Sequence, residues 1–317
     1  MADEQKSTKT AFDETTLKNL KFKSRIFLGP CTHTPSKYEN IVKNGGVTMV
    51  TTEGCIVGDY AFTKLQPEGP FRIDSDEYLP LIKELADTVH KHNSYILLDL
   101  LHQGAGSSEH FTPSGGKGFF GLDIETKALT KEDILRIEDY FVQAALRAKK
   151  AGCDGVEIHG AQLSLVSLFS SSKYNQRTDE YGGSDENRAR FIVEIYTKIR
   201  QVIGDEMIIS AKIDNVCEEH GYTGSGFITI AKALEKAGLD IMEISGPNPH
   251  RKGPDPYFYE DTKKIADILK IPIICIGGIK TYEQVDFILK NSNIQYIAMS
   301  RELLKQPDLV TKWKSNK

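Results

Sequence analysis

Residues 152–191 read GCDGVEIHGAQLSLVSLFSSSKYNQRTDEYGGSDENRARF, and no other segment sets so much polar chemistry behind so short an apolar run. Its first part, Gly155-Val156-Glu157-Ile158-His159-Gly160, alternates small or apolar with polar residues, as a strand entering a loop does. Side chains on a strand alternate between two faces, so Glu157 and His159, two positions apart, share one. Three serines (Ser170, Ser171, Ser172) follow, then Asn175, Arg177, Asp179, Glu180, Gly182 and Gly183. Ser184 opens a helical pattern over about 185–202. Groups this dense in mutual partners predict an ordered loop, turned by Gly182-Gly183 into Ser184 as helix N-cap. Arg177, Asp179, Glu180, Asn187 and Arg188 read as that scaffold rather than as catalytic groups.

Working outward, short β-rich runs alternate with amphipathic helical patterns along the chain. Strands are expected at 25–28, 47–52, 95–101, 155–159, 207–213, 240–245, 271–276 and 295–300. Helical patterns lie between and after them, at 36–44, 76–92, 131–150, 184–202, 225–237, 257–269, 282–290 and 302–314. Eight strands, each followed by a helix, predict an α/β fold that closes into a single (β/α)8 TIM barrel. An open doubly wound sheet would need fewer strands or a visible switch point. The polar stretch 1–20 reads as a mobile tail ahead of a barrel domain at 21–317.

Composition limits the classes of function. With 317 residues, 39% of them apolar, and a net charge of -4, the chain is too near neutral to argue for nucleic acid or membrane surfaces as partners; a small-molecule substrate is the partner expected from the strand-end residues below. Homo-oligomerisation stays open. The five cysteines, Cys31, Cys55, Cys153, Cys217 and Cys275, are scattered and form no CxxC pair, which suits a reducing cytoplasm and offers no cysteine cluster for a metal. The N-terminus lacks the apolar core of a signal peptide, and no run is long enough to span a bilayer.

Barrel enzymes build their sites at the C-terminal ends of the strands. Those ends carry Pro30, Cys31, Thr32 and His33; Glu53 and Gly54; Asp99 and His102; His159 and Gln162; Lys212 and Asp214; Ser245 and Gly246. Strand 7 runs into Gly277-Gly278 and strand 8 into Ser300-Arg301, where this fold commonly holds a phosphate. Glycine lets backbone N–H groups approach an anion, and Arg301 adds a permanent charge. No G-x-G-x-x-G follows a strand and opens a helix, so no separate dinucleotide domain is expected.

The segments GCDGVEIHGA and NQRTDEYGGSDENRARF resemble the longest signature of the Old Yellow Enzyme family of flavin-dependent ene-reductases, with related features from about Phe22 to Trp313. The resemblance implies an FMN-dependent oxidoreductase that takes hydride from NADH or NADPH and passes it to a small electrophilic acceptor. Gly277, Gly278, Ser300 and Arg301 fall on the positions that bind the FMN phosphate. Lys212 stands where relatives place a cation beside the flavin pyrimidine edge, more often arginine. Thr32, two residues after Pro30, stands where relatives place a threonine or cysteine that touches flavin O4; Cys31 next to it reads as a packing residue, with a reactive thiol as the alternative. Gly54 matches a small residue beneath the ring. Asp99 stands where glutamine is usual, and a carboxylate there needs a proton or a partner such as Lys212.

His159 matches the first of two donors that clamp the acceptor oxygen, and Gln162 the second, usually asparagine or histidine. Ser164 stands where relatives carry the tyrosine that protonates carbon. A serine hydroxyl is a poor general acid beside a phenol of pKa about 10. Either another acid takes over (Tyr60, His33, His102 or a water), or the acceptors need no carbon protonation, as with quinones, nitro groups and free flavin, or activity is lost. The second needs the fewest assumptions. Two rival functions remain: a flavin-binding protein without turnover, and a Schiff-base barrel enzyme using Lys212.

Overall fold

The computed structural model describes residues 8–44, 46–58, 71–117, 124–247 and 255–316. Eight parallel strands form its centre: β1 (Ile26–Leu28), β2 (Met49–Thr51), β3 (Tyr95–Leu101), β4 (Gly155–Gly160), β5 (Ile208–Asp214), β6 (Ile241–Ser245), β7 (Ile273–Cys275) and β8 (Tyr296–Met299). Each pairs with the next in sequence, and β8 pairs with β1, which closes the barrel. The outer layer comprises α1 (Pro35–Val42), α2 (Leu79–His90), α3 (Lys131–Lys150), α4 (Asp185–Ile203), α5 (Gly224–Ala237), α6 (Tyr259–Ile268), α7 (Tyr282–Lys290) and α8 (Leu309–Ser315). The expected fold is therefore the observed one; most boundaries shift by a residue or two, but the helix expected at 76–92 starts at Leu79 after a short 3-10 turn, and the one expected at 302–314 is broken into Arg301–Lys305 and Leu309–Ser315.

Strand parity sorts the side chains. Val156, Ile158, Ile209, Ala211, Met242 and Ile244 face outward into the layer shared with the helices. The alternate residues face inward, and near the strand starts they form an apolar plug of Phe27, Met49, Leu97, Ile208, Ile241, Ile274 and Tyr296. Higher up, the inward positions are Asp99, Glu157, His159, Ser210, Lys212 and Glu243, each 6% exposed or less. Glu157 and His159 thus share a face, as the period of two requires, and that face is the barrel interior.

Residues 8–20 correct the expectation of a tail over their part of 1–20. Thr15–Leu17 and Leu20–Phe22 form an antiparallel hairpin. Phe22 is buried against Phe27 and Tyr296, with ring centroids 5.2 Å and 5.6 Å away, so the hairpin stoppers the N-terminal mouth of the barrel. Burying one such ring stabilises the fold by roughly 1.5–3 kcal/mol. Lys9 donates to the carbonyls of Ser292 (2.9 Å) and Ile294 (2.6 Å), and Ala11 is fully buried. Two short polar strands carry too little periodicity to be read from sequence, and the mouth they cover exists only in the closed barrel.

The loop after β4 is the scaffold its composition suggests. Arg177 forks onto Asp179 (3.0 Å and 2.6 Å) and donates to the carbonyls of Pro113 and Leu129. Asn187 donates to Gly182 O at 2.8 Å, and Ser184 caps α4 by accepting from the Asn187 N–H. Gly182 is required there, because a Cβ would stand 2.4 Å from the Arg177 carbonyl oxygen. The five cysteines are free thiols. Among the described residues no helix is long and apolar enough to cross a membrane, and no cluster could hold a metal ion.

Candidate functional site

A cavity of about 350 Å³ opens at the C-terminal ends of the strands, within the size range of cofactor sites. One end is built by the loops after β7 and β8. Gly277 (φ 98°) and Gly278 (φ 73°) occupy left-handed backbone that costs other residues strain. A Cβ on Gly277 would lie 2.6 Å from the Phe258 ring, and one on Gly278 would lie 2.4 Å from Asp255 Oδ1. Ser300 and Arg301 line the same end, Arg301 opening a short helix, Arg301–Lys305. Glycine backbone plus an exposed guanidinium fits a phosphate.

Pro30, Cys31, Gln162, Lys212 and Ser245 line the other end. Burial, followed by the Glu53 carboxylate, pushes the Cys31 thiol up to about 12, so it is not a reactive thiolate. Lys212 is 2% exposed, and its Nζ lies 2.7 Å from Glu243 Oε1. Burial disfavours its charge, but Glu243, Glu157 and Asp99 more than offset that and hold it above the ordinary lysine range. A lysine held as ammonium is no Schiff-base nucleophile, which argues against the carbonyl-condensing alternative.

Glu157, inward on β4, accepts from Ser210 Oγ at 2.7 Å through Oε2. Its pKa is raised well above the carboxylate range, first by burial and then by repulsion from Glu243 and Asp99. Among the described residues Glu157 Oε1, Asp99 Oδ1 and Glu243 Oε2 take no hydrogen bond, while Glu243 Oε1 faces the Lys212 ammonium. Glu243 was not singled out by sequence reasoning, although an acidic residue at an inward position of the apolar run Ile241–Ser245 is a readable signal.

Asp99 does not pair directly with Lys212. Its Oδ2 lies 2.7 Å from His159 Nδ1, because β3 and β4 are neighbours and Asp99 sits opposite Glu157, one inward position below His159. Ser164 is likewise engaged. Its hydroxyl donates to the His159 carbonyl at 2.8 Å and accepts from the Ser167 N–H at 3.4 Å, capping the short helix Leu165–Ser170. Both hydrogen bonds of this hydroxyl are thus made within the chain. Thr32 Oγ accepts from the Thr34 N–H at 3.2 Å, so its hydroxyl is held in a local turn. Gly54 is small for Leu101, whose Cδ2 would lie 2.7 Å from a Cβ there. Asp99, His159, Thr32, Gly54 and Ser164 are not among the residues lining the cavity.

Gln162 and Leu163 both have φ 60°, a conformation that costs non-glycine residues on the order of 1–3 kcal/mol each. Asp214, at the end of β5, accepts from the Gln162 N–H at 3.0 Å and from Ser167 Oγ at 2.5 Å, which holds the turn. Of the alternative acids, Tyr60 lies outside the described residues. His102 is pushed down to about 4 by burial and then by Arg136, and its Nδ1 accepts from the Gly104 N–H. His33 Nδ1 is hydrogen-bonded to the Glu53 carboxylate, and its ring stacks on Phe71 at 4.9 Å.

The pattern of the NADH:flavin oxidoreductase / NADH oxidase family matches residues 11–317. The chain belongs to that family. It is similar to an NADPH dehydrogenase of Geobacillus sp. (strain WCH70), 30% identical over 93% of this chain and 91% of that protein. It is also 30% identical to the NADH oxidase of Thermoanaerobacter brockii over 96% of this chain, but spans about half, 51%, of that longer protein. In fold it resembles the old yellow enzyme homologue from Zymomonas mobilis, with TM-score 0.82 and 22% identity over 97% of this chain and 93% of that one. As a member of the NADH:flavin oxidoreductase family, the chain is an FMN-dependent NAD(P)H oxidoreductase on a TIM barrel. The glycine and arginine cradle and the cation Lys212, at opposite ends of one cavity, fit that cofactor.

Proposed function

We propose that this protein passes hydride from NADH or NADPH to small electrophilic acceptors that are protonated on oxygen, such as quinones, nitro compounds or free flavin, in preference to enones. The observation that carries this reading is the engagement of Ser164 Oγ by the His159 carbonyl, which leaves no hydroxyl at the position of the carbon acid. FMN, when bound, supplies the hydride relay. Gly277, Gly278, Ser300 and Arg301 hold its phosphate, and Lys212 lies toward its pyrimidine edge with Pro30, Cys31 and Thr32 beside the ring. Asp99 acts through His159 instead of touching the ring, and Gly54 keeps space for Leu101. His159 and Gln162 hold the acceptor oxygen, Gln162 in the turn that Asp214 stabilises. Cytoplasmic placement belongs to the same reading and is supported by the five free thiols.

The test is an absorption spectrum of the purified protein, followed by anaerobic NADH and then NADPH, and reoxidation by a quinone or an enone. A yellow protein, bleached and reoxidised faster by quinone, is the expected result. Faster reoxidation by the enone would overturn the acceptor assignment, and a yellow protein that neither nucleotide bleaches would favour flavin binding without turnover.

A further inference from the structure

With Ser164 engaged, the proton that completes reduction needs another source. His102 is neutral and its Nδ1 is occupied, while His33 is tied to Glu53. His159 is placed differently. Nδ1 faces the fully buried Asp99 at 2.7 Å, and Nε2 has no hydrogen-bond partner among the described residues. A carboxylate on Nδ1 keeps that nitrogen protonated and stabilises the imidazolium, the form in which Nε2 carries a proton and donates. The charged and titratable groups packed around it are Asp99 from β3, Glu157 from its own strand, Lys212 and Asp214 from β5 and Glu243 from β6. Lys212 is matched with Glu243, and burial, with repulsion from Glu243 and Asp99, disfavours the charge of Glu157. Asp99 Oδ2 is thereby left facing His159 Nδ1, 2.7 Å away.

We propose that His159, backed by Asp99 as a positioning residue, gives its Nε2 proton to the acceptor's oxygen, so that this enzyme protonates oxygen and leaves the α-carbon of an enone to solvent. The proposal rests on the reading of His159 as the group that holds the acceptor oxygen. An acceptor that has received hydride from the NAD(P)H-reduced enzyme carries the displaced electron pair on oxygen. The Nε2–H bond breaks as the O–H bond forms, and imidazole remains with Nδ1–H on Asp99 and takes its next proton from water. A quinone becomes the hydroquinone directly. An enone becomes an enol, which converts to the ketone in water without facial control.

The FMN-loaded full chain is reduced anaerobically and reoxidised by 1,4-benzoquinone, which needs a proton, or by ferricyanide, which needs none. Asp99→Asn lowers the quinone-to-ferricyanide rate ratio at least tenfold, and increasingly so as pH rises, whereas a merely structural defect slows both oxidants alike. Asp99→Glu recovers part of the ratio, and His33→Gln keeps it within twofold. In D2O, 2-methylcyclohexenone gives both α-epimers. In flavin-free, 15N-labelled protein the hydrogen-bonded Nδ1 proton of His159 is seen far downfield and is lost in Asp99→Asn. A constant ratio in Asp99→Asn, a collapse in His33→Gln, or a single α-epimer overturns the proposal. His159→Ala separates the two readings: a retained charge-transfer band with a bound phenol sinks the oxygen-anchor reading, while a lost band with a constant ratio in Asp99→Asn sinks the proton assignment alone.

Discussion

Ser164 Oγ lies 2.8 Å from the His159 carbonyl oxygen, and this bond binds the strand that presents the imidazole to the short helix behind it. The hydroxyl at the position of the missing phenol is therefore part of the frame around the site. Ser164→Ala is expected to cost about 1 kcal/mol as a lost N-cap, roughly 2 °C in melting temperature, while quinone turnover falls less than about threefold. Ser164→Tyr should raise enone turnover and bias the α-epimer ratio. Calorimetry and chiral product analysis check both, and a turnover loss in Ser164→Ala that outruns its loss of stability would return the serine to the chemistry.

Arg301→Ala is expected to weaken FMN binding by roughly tenfold to a hundredfold, the worth of a charged hydrogen bond. Gly278→Ala should weaken it as well, because φ 73° and the 2.4 Å approach to Asp255 Oδ1 force the loop to move. Fluorescence titration of flavin-free protein measures both, and unaltered affinity in the pair would displace the phosphate from this end of the cavity.

Lys212→Met leaves Glu243 and Glu157 buried without their cation and should destabilise the fold by about 3–5 kcal/mol. Adding Glu243→Gln should recover much of that loss in urea denaturation. Additive penalties in the double variant would mean that the two side chains are not energetically coupled.

Burial raises the Asp214 carboxyl to about 6 against the hydrogen bonds from Ser167 and the Gln162 backbone. Its folded value lies above the unfolded value of about 4, so the stability it contributes is whole below about pH 4 and lost as pH rises through about 6. Asp214→Asn keeps an acceptor for the Gln162 N–H. It should match the parent near pH 4 and exceed it by on the order of 2 kcal/mol above pH 7. Melting curves across that range decide, and a stability difference independent of pH would contradict the raised value.

The frame was legible because its signals are local. Alternation in residues 155–160 placed Glu157 and His159 on one face, and Gly182-Gly183-Ser184 announced the turn and cap of α4. The hairpin of Thr15–Leu17 and Leu20–Phe22 was not legible, since three-residue polar strands acquire meaning only from the barrel mouth they cover. Gln162 was readable as a rim residue, but its left-handed backbone depends on Asp214, which is 52 residues away in sequence. The partner of Asp99 was misplaced for the same reason: strand parity tells which face a carboxylate occupies, and the register of β3 against β4 tells which side chain it meets.

By itself the sequence determined the eightfold alternation of strand and helix, the glycines and arginine in the loops after β7 and β8, and the presence of acid, base and cation at the strand ends. Periodicity, turn chemistry and residue type suffice for these, because each is a property of neighbours along the chain. Only the tertiary structure decided that Asp99 backs His159, that Lys212 faces Glu243, and that Ser164 is spent on a carbonyl. Those pairings are chosen where water is excluded. There a buried charge must find whichever partner closure of the barrel brings within reach, and that distance is fixed in space, not along the chain.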